Sequence, residues 1–75
     1  MNKNYLKWKC RRGVLELDPI LNQFFDKFYD NLSANDLKIL ENLLDQEDPL
    51  LLDWLIYNNN VPEDMRYIVN LIKEG

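Results

Sequence analysis

A chain of 75 residues, 47% of them apolar and with a net charge of −4, is expected to make one small domain over residues 1–75 with a marginally stable core and no room for a second. With no histidine and Cys10 as its lone cysteine, it lacks the parts for a tetrahedral zinc site, for Cys–His catalysis and for an internal disulfide. Two glycines and three prolines are too few for a disordered tail. A chain this short cannot enclose a dinucleotide beside its own core, so no cofactor is expected to bind stably and a large one would sit in a partner.

The apolar spacing is helical nearly throughout, and no stretch alternates with period two for long enough to make a strand. A first helix is expected from about Asn4 to Arg12, with Leu6 and Cys10 on one face and Gly13 as its stop, because glycine readily takes the left-handed cap conformation. Asp18-Pro19 reads as the next helix start, the aspartate capping free N–H groups and the proline pre-set for the first turn. Leu21, Phe24, Phe25, Phe28 and Leu32 then follow at i, i+3, i+4 spacing and give this second helix the largest aromatic share of the core. Ser33 opens a third helix as a capping box with Asp36, burying Leu37, Leu40, Leu43 and Leu44 and ending near Gln46.

Asp48-Pro49 repeats the aspartate-proline start and launches a fourth helix through Leu51, Leu52, Trp54 and Leu55, which stops at the turn Asn58-Asn59-Asn60. Pro62 begins a fifth, with Met65, Ile68, Val69 and Ile72 on its inner face, and Gly75 closes the chain. The expected architecture is an all-α, compact five-helix bundle in which sequence neighbours pack antiparallel.

Charge is unevenly placed. Residues 1 to 12 carry Lys3, Lys7, Lys9, Arg11 and Arg12 without an acid, while the other four basic residues share the rest of the chain with all thirteen acids. A strongly acidic body opposes the clustered basic surface that phosphate binding needs, so the basic helix is expected to dock on an acidic or cofactor-bearing protein surface and not on nucleic acid. No apolar run approaches the roughly 20 residues that span a bilayer, and the basic start is not a secretory signal, so a soluble cytoplasmic protein without membrane insertion is expected.

The stretch from Trp8 to Asp18 places charges and a glycine where two helices meet. Much of it admits an ordinary explanation: Arg11 and Arg12 complement a helix dipole, Gly13 caps, and Arg12 and Glu16 form a surface ion pair. The same stretch resembles the signature of the SdhE family of FAD assembly factors, an Arg-Gly-x-x-Glu motif that follows a tryptophan and a cysteine. Here the motif is Arg12-Gly13-Val14-Leu15-Glu16, inside Trp8-Lys9-Cys10-Arg11-Arg12-Gly13 and followed by Leu17-Asp18. Tyr29, Leu32-Ser33 and Asp48-Pro49 ahead of Trp54-Leu55 extend the resemblance over about residues 5 to 72. Leu15 stands where a basic residue is common, and the asparagine turn replaces a more usual glycine.

The resemblance implies a five-helix bundle that binds the flavoprotein subunit of succinate dehydrogenase, with the related fumarate reductase as a further client, and promotes covalent attachment of FAD to a histidine of that partner. FAD then belongs to the partner, and the chain is not itself an enzyme. The partner-binding residues so implied are Arg11, Arg12, Gly13 and Glu16, with Arg12 the principal contact and Arg11 a secondary one; Trp8, Asp18, Asp48 and Pro49 are further candidates. Read from chemistry alone, Asp18 and Asp48 are first of all helix caps, Trp8 and Trp54 core or rim packing, and Cys10 a small buried hydrophobe. A monomer is expected, with a weak dimer as the alternative. The alternative function, also carried by the family, is that of an interaction module acting as the antitoxin of a toxin–antitoxin pair.

Overall fold

The structure, a computed structural model, describes residues 3–74. Five α-helices follow in order: α1 (Lys3–Lys9), α2 (Asp18–Phe28), α3 (Ala34–Leu44), α4 (Asp48–Leu55) and α5 (Arg66–Glu74). Short 3₁₀ turns at Tyr29–Asn31 and Glu63–Met65 extend α2 and lead into α5. No strand occurs among the described residues, so the all-α expectation holds; the expected stop at Gly75 lies outside them.

One core runs through all five helices. Leu6 of α1, Leu21, Phe24 and Phe25 of α2, Leu40, Leu43 and Leu44 of α3, Leu51, Trp54 and Leu55 of α4, and Ile68, Val69 and Ile72 of α5 are buried together. Phe28, Leu32, Leu37 and Leu52 pack at its margin, where the inward stripes give way to solvent. Cys10 and Leu17, on the connection between α1 and α2, are also fully buried and pin that connection to the core. Trp54 is 4% exposed, and its Nε1 is a buried polar atom without a hydrogen-bond partner among the described residues.

Sequence neighbours are not the main packing partners. The principal contacts between helices are α2 with α5, α4 with α5, α1 with α3 and α3 with α5, and only the second of these joins consecutive helices. The helices have 7 to 11 residues, about 10–16 Å at 1.5 Å per residue, too short for long antiparallel pairs. Each stripe instead turns to a common centre, which makes the molecule nearly isotropic at 27 × 26 × 21 Å.

Four helix starts and stops differ from the sequence reading, among them the fifth helix, which begins at Arg66 with Pro62 and Met65 ahead of it, at the cap and the end of the 3₁₀ turn. α1 ends at Lys9 and not at Arg12. The N–H groups of Cys10 and Arg11 close tight turns on the carbonyls of Lys7 and Trp8 at 3.1 and 3.0 Å, and the Arg12 N–H donates to the Asp18 carboxylate instead of continuing the ladder. Asp18 and Asp48 are the first residues inside their helices; the caps are Leu17 and Glu47, neither making a side-chain cap bond, and each proline is second. The Ser33 capping box forms as expected, with Asp36 N–H donating to Ser33 Oγ at 3.1 Å and Ser33 N–H to Asp36 Oδ2 at 3.3 Å. Asn58 and Asn60 take φ values of 58° and 57°, the left-handed conformation that asparagine tolerates best after glycine.

Candidate partner-docking site

The connection between α1 and α2 is the most elaborately held backbone in the molecule. Asp18, at the start of α2, accepts from two successive N–H groups, Arg12 at 2.7 Å and Gly13 at 3.1 Å, one to each carboxylate oxygen. Gly13 lies at φ 75°, so the pair of N–H groups forms a small concavity around the carboxylate. Asn22, one turn along α2, donates from Nδ2 to the carbonyls of Asp18 at 2.7 Å and Cys10 at 3.3 Å, tying the far side of the loop to the same helix. Val14 accepts from the N–H groups of both Leu17 and Asp18 and closes the turn into α2.

Arg12 fixes this loop to the corner between α3 and α4. Its Nε donates to Asp48 Oδ1 at 2.7 Å, Nη1 to the Leu44 carbonyl at 2.6 Å and more weakly to Lys9 O at 3.4 Å, and Nη2 to the Gln46 carbonyl at 2.5 Å. The acceptors at Leu44 and Gln46 are carbonyls of the α3 end, where the helix leaves C=O groups unpaired and its dipole is negative. The guanidinium therefore caps α3, pairs with the first residue of α4 and keeps only 15% of its side chain exposed. The Arg12–Glu16 pair considered from the sequence does not form, because Asp48 takes the guanidinium and Glu16 points to solvent without an ion pair.

The other cations of α1 are also matched by acids of the body: Lys3 with Asp30 at 3.8 Å, Lys7 with Asp26, and Lys9 with Asp45. Lys3, Lys7 and Lys9 further lie over the rings of Tyr29, Phe25 and Tyr5. The charge asymmetry along the chain is thus largely folded in on itself. Within residues 3–12, Arg11 is the cation that is exposed and has no ion pair.

Near Arg11 in the chain, two large apolar side chains, Trp8 and Leu15, are exposed. Trp8 is 67% exposed, against the expectation of core or rim packing, and stacks on Tyr5 with centroids 6.5 Å apart. Its position on α1, two residues before buried Cys10, turns it away from the core face that Leu6 and Cys10 occupy. Leu15 is 88% exposed at the tip of the loop. Between α1 and the α3–α4 corner lies an open cleft of about 340 Å³, lined by Trp8, Lys9, Arg11, Arg12, Leu44, Asp45 and Asp48. Pro49 is exposed one residue beyond it.

The structure thus brings Trp8, Arg11, Arg12, Gly13, Glu16, Asp18, Asp48 and Pro49 to one corner, but divides them. Trp8, Arg11, Gly13 and Glu16 face outward, whereas Arg12, Asp18 and Asp48 hold the corner together. Three members of that framework escaped the sequence reading: Asn22, Lys9 and the backbone of Gln46. The bonds that tie them across the corner, Asn22 to Cys10, Gln46 to Arg12 and Lys9 to Asp45, span 12, 34 and 36 residues, a separation that no local pattern marks. Cys10 offers no nucleophile, because complete burial pushes its thiol up to about 11, against weaker lowering by Lys7 and Arg12.

Fold and site together define a small helical bundle with one internally braced corner that exposes an indole and an unpaired guanidinium. Over residues 4–75 the chain matches the family described as "flavinator of succinate dehydrogenase", and it belongs to that family. It is 42% identical over 71 residues to the FAD assembly factor SdhE of Legionella pneumophila, covering 95% of this chain and 90% of that protein. The protein of the same description from Pectobacterium atrosepticum is 38% identical over 74 residues, 96% of this chain and 83% of its own length. That of Coxiella burnetii is 51% identical over 51 residues, which span 68% of this chain and 62% of that protein. These descriptions agree with the assembly-factor expectation and lend no support to the antitoxin alternative. No solved structure gives a significant match, and no helix among the described residues is long and apolar enough to cross a membrane.

Proposed function

We propose that this chain docks its Trp8–Asp18 corner on the flavoprotein subunit of succinate dehydrogenase and promotes covalent attachment of FAD there, with the related fumarate reductase as a second client. The observation that carries the reading is the family match over residues 4–75, whose motif residues fall on one exposed, internally braced corner. FAD and the accepting histidine belong to the partner, since this chain has no histidine. The chain acts by preorganisation: a rigid corner seated beside the flavin site holds histidine and flavin in a reactive alignment, which removes part of the entropic barrier. It has no turnover of its own, and it works in the cytoplasm.

Gly13 gives the sharpest test. A Cβ built on it meets nothing within 4 Å, so a side chain there projects outward from the corner without an internal clash. Its φ of 75° makes any other residue unfavourable by roughly 1–2 kcal/mol. Gly13→Arg is therefore expected to fold with a lowered Tm and to fail in docking. Covalent flavin on the subunit, read by in-gel fluorescence after denaturation, should fall in cells lacking this protein and stay low when folded Gly13→Arg is supplied. Unchanged covalent flavin in cells lacking the protein would sink the proposal.

A further inference from the structure

Resting on that reading, we propose that the guanidinium that meets the partner is Arg11, and that Arg12, although it belongs to the motif, is a positioning residue acting through Asp48 and the carbonyls that end α3. All three guanidinium nitrogens of Arg12 already donate to internal acceptors at 2.5 to 2.7 Å. To meet a partner carboxylate it would have to leave the Leu44 and Gln46 carbonyls and Asp48 without their donor, at the junction of two helices. Arg11 has no such ties. It is exposed and unpaired while Lys3, Lys7, Lys9 and Arg12 are all matched by acids.

The chemistry around Arg11 defines what it fits. A free guanidinium beside the exposed indole of Trp8, at the mouth of the cleft, suits an acidic segment of the flavoprotein that carries a carboxylate next to an apolar side chain. The carboxylate pairs with Arg11, and the apolar group lies against Trp8 in the cleft. Arg12 sets the distance between them, because it joins the loop bearing Arg11 to the α3–α4 wall of the same cleft.

The proposal is tested by titrating purified variants onto the purified flavoprotein subunit of the host's succinate dehydrogenase across a range of ionic strength, with Tm measured for each. Arg11→Gln should keep the wild-type Tm, bind roughly tenfold or more weakly and show a flatter salt dependence, since it removes the charge at the interface. Arg12→Lys keeps the charge but cannot reach three acceptors; it should lower the Tm and weaken binding while leaving the salt dependence as in wild type. Asp48→Asn should reproduce the binding loss of Arg12→Lys, and the double variant should be no worse than the poorer single one, as for residues acting through each other.

Wild-type binding by Arg11→Gln, or full binding by Arg12→Lys, or losses that add between Arg12→Lys and Asp48→Asn, would overturn the assignment while leaving the docking function standing. Absence of binding by the wild-type chain would overturn the proposed function itself, and this assignment with it.

Discussion

Asp18 and Asp48 each precede a proline at a helix start, and the sequence suggests a cap for both. Each sits one residue inside its helix and turns its carboxylate to the Arg12–Gly13 segment instead, Asp18 on the backbone and Asp48 on the guanidinium. The residue types are right for either role, because a carboxylate at a helix start meets N–H groups whichever chain segment supplies them. What the sequence does not contain is the 36-residue separation across which Arg12 and Asp48 meet, and so the Arg12–Glu16 pair four residues apart was the more visible candidate. Cys10 was legible, since its place one turn from Leu6 predicts burial. Burial carries a consequence for pH. Its thiol is raised from about 9 to about 11, so the folded state holds that proton more tightly than the unfolded chain does. The associated stability is fully present below pH 9 and is lost as pH rises from about 9 to 11, by about 2–3 kcal/mol. Urea titrations at stepped pH should show this alkaline loss in wild type and a smaller one in Cys10→Ala, whose neutral-pH stability is lower but lacks the thiol's titration. Parallel pH profiles for the two would refute the assignment.

The elements were recovered where their signals are local. Ser33 and Asp36 are three residues apart, and the reciprocal bonds of the capping box need nothing beyond that spacing. Ser33→Ala removes the acceptor for the Asp36 N–H and is expected to destabilise the protein by about 1 kcal/mol. For a chain of this size that corresponds to a Tm lower by roughly 4–8 °C in thermal denaturation followed by circular dichroism. Ser33→Asp, which restores an acceptor, should recover most of it; an equal loss in both variants would show that the cap bond contributes nothing. α1 ends three residues short of Arg12 because its stop is tertiary: the Asp18 carboxylate takes the N–H groups of Arg12 and Gly13 from α2, a helix that the local pattern treats separately. Gly13 takes the left-handed conformation that its position suggests but belongs to the loop and not to the helix cap. The same limit applies to packing order. Apolar stripes say which face of each helix is buried, and all five did so, but not that α2 meets α5 or α1 meets α3.

At the scale of the whole molecule, stability and docking draw on separate sets of residues, and that separation decides how variants should be read. A chain of 75 residues is expected to be stable by only about 4–11 kcal/mol. Phe24 is fully buried at the centre of the longest aromatic stripe, and Phe24→Ala is expected to destabilise by about 3–5 kcal/mol through lost burial and an unfilled cavity. That is a large part of the whole, so covalent flavin in cells carrying Phe24→Ala should fall because little folded protein is left, in step with its steady-state abundance. The docking corner behaves differently. Trp8, Arg11 and Leu15 stand outside the core, with Trp8 stacked on exposed Tyr5 and not on a core residue, so their loss should reduce flavinylation at undiminished abundance. Arg12 couples the two sets, which is why its substitution is expected to move stability and docking together, and why loss of activity alone cannot assign it to the interface. Measuring abundance and covalent flavin side by side for Phe24→Ala and Trp8→Ala separates the cases: proportional losses in the first, and loss of flavin without loss of protein in the second. If Trp8→Ala instead lost protein in proportion to flavin, the exposed indole would have to be counted among the residues that hold the fold.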